Sequence, residues 1–319
     1  MMKTGEILER LRGLRVLVVG DICLDRWCTY DPGEALASAE TGILRVAVTR
    51  VEVTPGAGGT IANNLAALGV GQVSVVGVVG RDGFGWELKE ALAGRGIDGS
   101  RLVEAAGVQT FTYTKVINGE TGEEDRPRLD FIVNRPMSEA VERAVIGQLG
   151  GEWDAVIVSD QAETGAGGVV TAAVRGAIQG KLVWVDSRAR GELFRGVMLK
   201  PNEREAEEAC LRAFGVVDFA RLRALTESPL LLVTHGGRGA RLYTEAGDTW
   251  VVTRPVEKPV DICGAGDSFT AGAVCALAVT GDVRRAAEFG NQVAAITIMK
   301  KGTGTASPEE LLRDAYDRD

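Results

Sequence analysis

The stretch RVLVVGD, residues 15–21, is a continuous apolar run that ends in two turn-formers. A strand that covers only one face of a core alternates apolar and polar side chains, whereas a strand buried on both faces does not. The run therefore predicts a parallel strand with helices on either side. VSVVGVVG (73–80), DAVIVSD (154–160), KLVWVD (181–186) and LLLVT (230–234) share its form. Helical patterns lie between them. TIANNLAALG (60–69) sets Ile61, Leu65 and Leu68 on one face, with Gly69 as the stop signal. GWELKEALAG (85–94) and NEREAEEACLRAF (202–214) read the same way. This alternation predicts an α/β fold with a doubly wound, mostly parallel sheet flanked by helices. Ligands then sit beyond the carboxyl ends of the strands. Asp21 ends the first run and Asp25 follows it, so Asp25 is expected past the strand, in the cleft.

Two stretches break the alternation. ILRVAVTRVEV (43–53) alternates apolar and polar residues, with a slip near Arg50 that reads as a bulge. VQTFTYTKVINGETGEEDRPRLDFIV (108–133) reads as a strand, an Asn-Gly turn region and a second strand. Phe111, Tyr113, Lys115 and Ile117 would share one face; Thr110, Thr112 and Thr114 would share the other. A few short antiparallel strands do not make a stable domain alone. Residues 1–319 are therefore read as a single domain. About 23–53 and 108–133 are expected to form a small antiparallel β lid, which covers the large sheet or contacts a second copy.

The composition removes several function classes. The 319 residues are 45% hydrophobic, ample for a large core. A net charge of −8 without a long basic run argues against a broad nucleic-acid or membrane surface. No apolar run approaches the length of a bilayer span, and MMKTGEILERLRGLRV lacks the apolar centre of a signal peptide. Cys23, Cys28, Cys210, Cys263 and Cys275 show no metal spacing, and His235 is the only histidine. Buried, reduced thiols in a cytoplasmic protein are expected, and chemistry that needs a histidine pair is excluded.

The chemistry concentrates in DICGAGDSF, residues 261–269. The first strand is followed by GDICLD, not by the GxGxxG of a dinucleotide fold, and no GxxxxGK[ST] occurs. A glycine turn that feeds a helix start gathers backbone N–H groups and the positive end of the helix dipole, which suits an anion. Asp267, placed directly after that turn, would repel the anion unless it acts on a second molecule. Phosphoryl transfer needs this arrangement, with donors around the moving group and a base for the attacking hydroxyl. An N-cap aspartate after a tight turn fits the stretch as well.

With these residues in view, the chain resembles the ribokinase (PfkB-type) sugar kinases over nearly its whole length. DICGAGDSFTAGAV is similar to the signature of that family. The resemblance implies Asp267 as catalytic base and Gly264, Ala265 and Gly266 as anion hole. It implies sugar-binding carboxylates at Asp21 and Asp25. It implies a sugar loop at PGAGG (55–59), with Gly56, Gly58 and Gly59, then Thr60 and Asn64. NERE (202–205) resembles the family's NxxE motif, which acts on Mg2+ and phosphate through Asn202 and Glu205; Glu205 would reach the metal through water, and Lys200 lies just before it. THGGRG (234–239) resembles the nucleotide loop, with Thr234, Gly236 and Gly239, and Asn291 lies in the helix that borders adenine. ATP, Mg2+, a monovalent cation such as K+ beside Asp261 and a homodimer follow by the same resemblance. Taken singly, each of these residues also admits a reading as a turn, a cap or a solvated face.

VLVVGDICLDRW, RLDF (128–131), LKPNEREAEEA (199–209) and GTGTASPEEL (302–311) look like the bacterial heptose-phosphate kinases, which phosphorylate the anomeric hydroxyl of heptose 7-phosphate. The sugar side departs from that subgroup. Thr60 stands where asparagine is usual, LASAETG (36–42) replaces a proline-rich segment, SDQAETG (159–165) lacks a lysine, and DSR (186–188) replaces Asp-Pro-Lys. Arg128, Arg188 and Arg190 are candidates to pair with a substrate phosphate. The expected activity is ATP-dependent phosphorylation of a sugar or sugar phosphate. The alternative is a non-catalytic sugar- or nucleotide-binding regulator on the same fold.

Overall fold

The computed structural model describes residues 2–132, 136–162 and 167–316. Val133, at the end of the expected lid, and residues 163–165 of SDQAETG lie outside the described residues.

Along the chain the strands are β1 (Arg15–Gly20), β2 (Ile22–Tyr30), β3 (Val48–Ala57), β4 (Gln72–Val76), β5 (Val78–Gly80), β6 (Val103–Ala105), β7 (Thr112–Asn118), β8 (Leu129–Phe131), β9 (Ala155–Asp160), β10 (Val183–Ser187), β11 (Met198–Leu199), β12 (Leu231–Thr234), β13 (Ala240–Thr244) and β14 (Gly247–Val251). The large sheet has the order β14-β13-β12-β11-β10-β9-β1-β4. It is parallel from β4 to β12 and antiparallel at β13 and β14.

Side chains of β1 divide between two cores, as a strand buried on both faces must. Val16 and Val18 pack with Ile7, Leu11, Ile61 and Leu65 and with the helices Ala265–Thr280 and Val283–Thr297. Leu17 and Val19 pack with Val145, Trp153 and Val174 on the opposite face. All five expected runs lie in this sheet. The run 73–80 is split, because its pairing with β1 ends at Val19↔Val76 and β5 then pairs with β6.

A second sheet has the order β3-β2-β7-β8; β2 and β7 run parallel, so the lid expected to be antiparallel is a mixed sheet. Its β2–β3 ladder shifts between Thr29, opposite Arg50, and Tyr30, opposite Val48, so the slip falls at Thr49. The expected strand 43–53 begins only at Val48; Leu44 makes no more than an isolated bridge to Ala37. The expectation for Asp25 is corrected here. The chain does not leave the sheets after Asp21 but passes directly into β2, where Asp25 faces Thr54 on β3 and Tyr113 on β7. Leu36, Ile43, Leu44, Val48, Val51 and Leu129 lie on or beside this sheet with their side chains exposed. Among the described residues no helix is long and apolar enough to cross a membrane.

Candidate active site

The helix Ala265–Thr280 starts at Gly264, whose φ of 75° belongs to the left-handed region. A side chain there would also meet methyl groups of Thr60 and Thr303 at 3.2 Å. The turn sets the helix start beside the cleft, with Ala265 N already donating to Ile262 O at 3.2 Å. Asp267 stands on the first turn and lines a cavity of about 210 Å³ with Asp25, Thr60, Lys115, Arg128, Gln161, Arg188 and Cys263.

The electrostatics of Asp267 suit a base. Among the described residues no group hydrogen-bonds its carboxylate. Burial, then the nearby Asp186, pushes its pKa up to about 8, against the opposing pull of Lys200. Lys200 is 3% exposed, and its Nζ lies 2.7 Å from Asp186 Oδ2. Burial would discharge this lysine, but Asp186, Glu205 and Asp267 together raise its pKa. Its Nζ is 3.5 Å from the point where a Gly266 side chain would begin, so a fixed ammonium sits beside the glycine turn. Asp186 was not singled out from the sequence. Its signal was a carboxylate at the end of KLVWVD, the position that Asp21 and Asp160 hold on their own strands.

Asp21 and Asp25 have different surroundings. Asp21 accepts backbone hydrogen bonds from Gln161 and Val169, both at 2.8 Å, and so links these two positions. Each of its oxygens thus holds one backbone donor, and it does not line the Asp267 cavity. Asp25 accepts no hydrogen bond from the described residues. Its carboxylate lies so close to Gly56 that a Cβ there would sit 2.4 Å from Asp25 Oδ1, which explains the glycine. Burial raises both carboxyls to about 6.

Other expected residues are placed as follows. Gly58 and Gly59 open the helix Gly58–Ala67, with Ala57 before them at a φ of 52°. Thr60 lines the cavity, but its hydroxyl donates to Pro55 O, leaving the methyl toward Gly264. Asn64 is fully buried; its Nδ2 donates to Thr60 O, and its Oδ1 has no partner among the described residues. Arg128 lines the cavity, pairs with Asp130 and lies over the Tyr113 ring. Arg188 lines the cavity too. Arg190 is buried against Asp160, with Ser187 Oγ donating to the same carboxylate at 2.7 Å, and is withdrawn as a phosphate ligand. Cys263 is exposed in the glycine turn, contrary to the expectation of buried thiols throughout.

The nucleotide-side motifs converge. Asn202 caps the helix Glu203–Phe214; its side chain accepts from Glu205 N, while Glu205 Oε2 accepts from Asn202 N, a reciprocal capping box. Thr234 N donates to Pro201 O, which joins this cap to the turn Gly236–Gly239 between the antiparallel strands β12 and β13. Asn291 lies on the helix Val283–Thr297 with its Nδ2 buried and without a hydrogen-bond partner among the described residues. His235 pairs with Glu203 and packs on Trp250 at 4.8 Å, a structural placement. Asp261 accepts from Cys263 N and Gly302 N.

Residues 14–310 match the model described as pfkB family carbohydrate kinase. The chain belongs to this family. Family members named Bifunctional protein HldE from Trichlorobacter lovleyi and Halorhodospira halophila are 30% and 32% identical to it, over 96% and 95% of this chain. The chain spans 64% of the length of each of these relatives. Its fold is shared with a ribokinase from Thermotoga maritima (TM-score 0.71, 22% identity, 96% of this chain and all of that one). It is shared also with phosphofructokinase-2 from Escherichia coli in complex with potassium (TM-score 0.72, 19% identity, 95% and 99% covered). A third is an Arabidopsis thaliana ribokinase complexed with ribose and ATP (TM-score 0.67, 20% identity, 95% and 98% covered).

Proposed function

We propose that the protein transfers the γ-phosphoryl group of ATP to a hydroxyl of a sugar phosphate. The observation that carries the reading is Asp267: a carboxylate without a hydrogen-bond partner among the described residues, at the start of a helix, between a glycine turn and a cavity. Asp267 takes the proton of the acceptor hydroxyl, and the freed oxygen attacks the γ-phosphorus as the bond to the β-phosphate oxygen breaks. The N–H groups of Gly264 and Gly266, with Lys200 beside them, face the charge that develops, while Ala265 N would have to leave Ile262 O to join them. Asp25 binds acceptor hydroxyls. Lys115, Arg128 and Arg188 on the same cavity favour an acceptor that already carries an anionic group. Heptose 7-phosphate, phosphorylated at O1, is the first candidate, because the sequence resembles kinases of that substrate.

Thr234, Gly236, Gly239 and Asn291 serve the nucleotide, and the unpartnered Asn291 Nδ2 suits an acceptor atom on a base. Among the described residues no cluster of three or more His, Cys, Asp or Glu side chains could hold a metal ion directly. Magnesium fits as an ion carried by the ATP phosphates, with Glu205 reaching it through water, and would neutralise phosphate charge there. Both Asp261 oxygens already accept backbone donors, so a potassium ion beside it would share them. The exposed apolar residues on the second sheet support a homodimer formed lid to lid. Five free cysteines support a reducing, cytoplasmic setting. The test is ATP consumption with a panel of sugars, sugar phosphates and heptose 7-phosphates. Turnover with an anionic acceptor well above that with its neutral parent is expected; no turnover with any acceptor would overturn the reading.

A further inference from the structure

The second sheet and the glycine turn of Asp267 meet at a short stretch, Lys301, Gly302 and Thr303. One side of the stretch follows the sheet. Lys301 Nζ donates to Gly122 O, in the connection from β7 to β8, at 3.4 Å. A side chain on Gly302 would begin 3.5 Å from the Trp27 ring of β2. Thr303 Oγ1 lies 3.4 Å from Thr54 Oγ1 of β3. The other side follows the approach to the helix. Gly302 N donates to Asp261 Oδ2 at 3.1 Å, and Thr303 Cγ2 lies 3.2 Å from the point where a Gly264 side chain would begin. The stretch is anchored behind by Lys300, whose Nζ donates to Thr305 O at 2.6 Å and to Glu310 Oε2 at 2.8 Å.

Thr303 differs from its neighbours because its two branches reach different halves of the cleft. Thr54 is the partner of Asp25 across the β2–β3 ladder. The Thr303 hydroxyl therefore meets β3 directly opposite the carboxylate offered to the acceptor, while its methyl rests against Gly264. Thr303 itself lines the cavity shared by Asp25 and Asp267. A β-branched side chain is stiff at χ1, so the hydroxyl and the methyl keep one fixed angle between them. We propose that Thr303 is a positioning residue that holds the second sheet in register over the glycine turn, and so sets the separation of Asp25 from Asp267. The inference rests on the reading that Asp25 binds the acceptor and Asp267 takes its proton. Proton removal and attack need that hydroxyl placed closely, and a sheet displaced by about an ångström would lose much of the advantage of binding it.

Amide hydrogen exchange on the full chain without ligand tests the contact independently of any acceptor. Thr303→Val keeps the shape of the side chain and removes its hydroxyl; Thr54→Val removes the other half of the pair. Each should speed exchange in β2 and β3 about three- to tenfold and leave β1 and β9 unchanged. The double variant should be no faster than either single one, and Thr303→Ser, which keeps the hydroxyl, should exchange as the wild type does. In the coupled ATP assay with the fastest acceptor of the panel, both valine variants should raise acceptor KM about three- to tenfold with KM for ATP unmoved, and Thr303→Ser should restore it. Additive effects of the two valines, a serine variant that behaves like them, or exchange or acceptor KM that does not respond would overturn the proposal. If exchange follows the expected pattern and no acceptor turns over, the kinase reading falls and the contact stands, so the two failures are told apart.

Discussion

The end of β1 and the strand β2 that follows it each hold a carboxylate, in opposite ways. Asp21, at the end of β1, spends both oxygens on the N–H groups of Gln161 and Val169. Asp25, four residues later on β2, accepts nothing from the described protein and presses against Gly56. One carboxylate is engaged by the backbone and the other is open among the described residues. The helix start repeats the contrast, with Asp186 engaged by Lys200 and Thr270 and Asp267 left open. A charge of the expected type at the expected place therefore says little until its hydrogen bonds are counted.

The largest effect belongs to the open carboxylate on the helix. Asp267→Asn should keep the fold and lower kcat by about 10²–10⁴-fold, as loss of a positioned base does. A coupled ATP assay measures it, and near-normal turnover would remove Asp267 from the role. Next comes the pair at β1 and β2. Asp25→Asn should cut acceptor kcat/KM by roughly ten- to a hundredfold with the ATP constant unmoved. Asp21→Asn should instead lower stability to urea by about 1–3 kcal/mol, because a buried N–H loses its acceptor. If both variants behaved alike, the contrast would collapse.

The pH dependence sharpens the same comparison. Asp21 and Asp25 are raised to about 6, and Asp267 to about 8. The folded protein therefore binds protons that the unfolded chain releases near pH 4. The stability these groups contribute is fully present below that point and is lost as pH rises through 6 and then 8. Tm should fall between pH 5 and 8.5, and less so in Asp267→Asn. Acceptor kcat/KM should rise over the same interval, because the base must be ionised. Activity and stability that moved in the same direction would contradict the assignment. The smallest effect on the folded chain is at the exposed face of the lid. Ile43→Asp with Leu44→Asp should convert a dimer to a monomer in light scattering while changing Tm by only a degree or two; an unchanged mass would move the contact elsewhere.

Much of the large sheet could be read from the chain because burial on two faces leaves a mark in composition. RVLVVG and AVIVSD carry almost no polar side chain. The glycine turn before Asp267 was legible for a related reason, since few sequences place so little side chain before a helix. Hydrogen-bond partners were not legible. Nothing near Asp21 announces that Val169 will be its donor, and nothing near Arg190 announces Asp160, because those pairs form only when distant loops meet. Asn64 looked available for the same reason, although its own helix takes its amide through Thr60. Thr60 likewise keeps its hydroxyl for Pro55, a choice set by the turn into the helix.

The neighbours of β1 have a consequence for how the chain is made. Val16 stands beside Val73 on one side and beside Ala155 on the other. At a synthesis rate of roughly 5–20 residues per second, the strand leaves the ribosome on the order of ten seconds before its second partner exists. Until then a run of bare aliphatic side chains has an unpaired edge, which is the surface that chaperones bind and that aggregates nucleate on. The segments inserted between these partners, which carry the lid strands, lengthen the wait. The architecture of the large sheet thus sets a vulnerable interval in the birth of every molecule, and slow translation ahead of β9 would extend it.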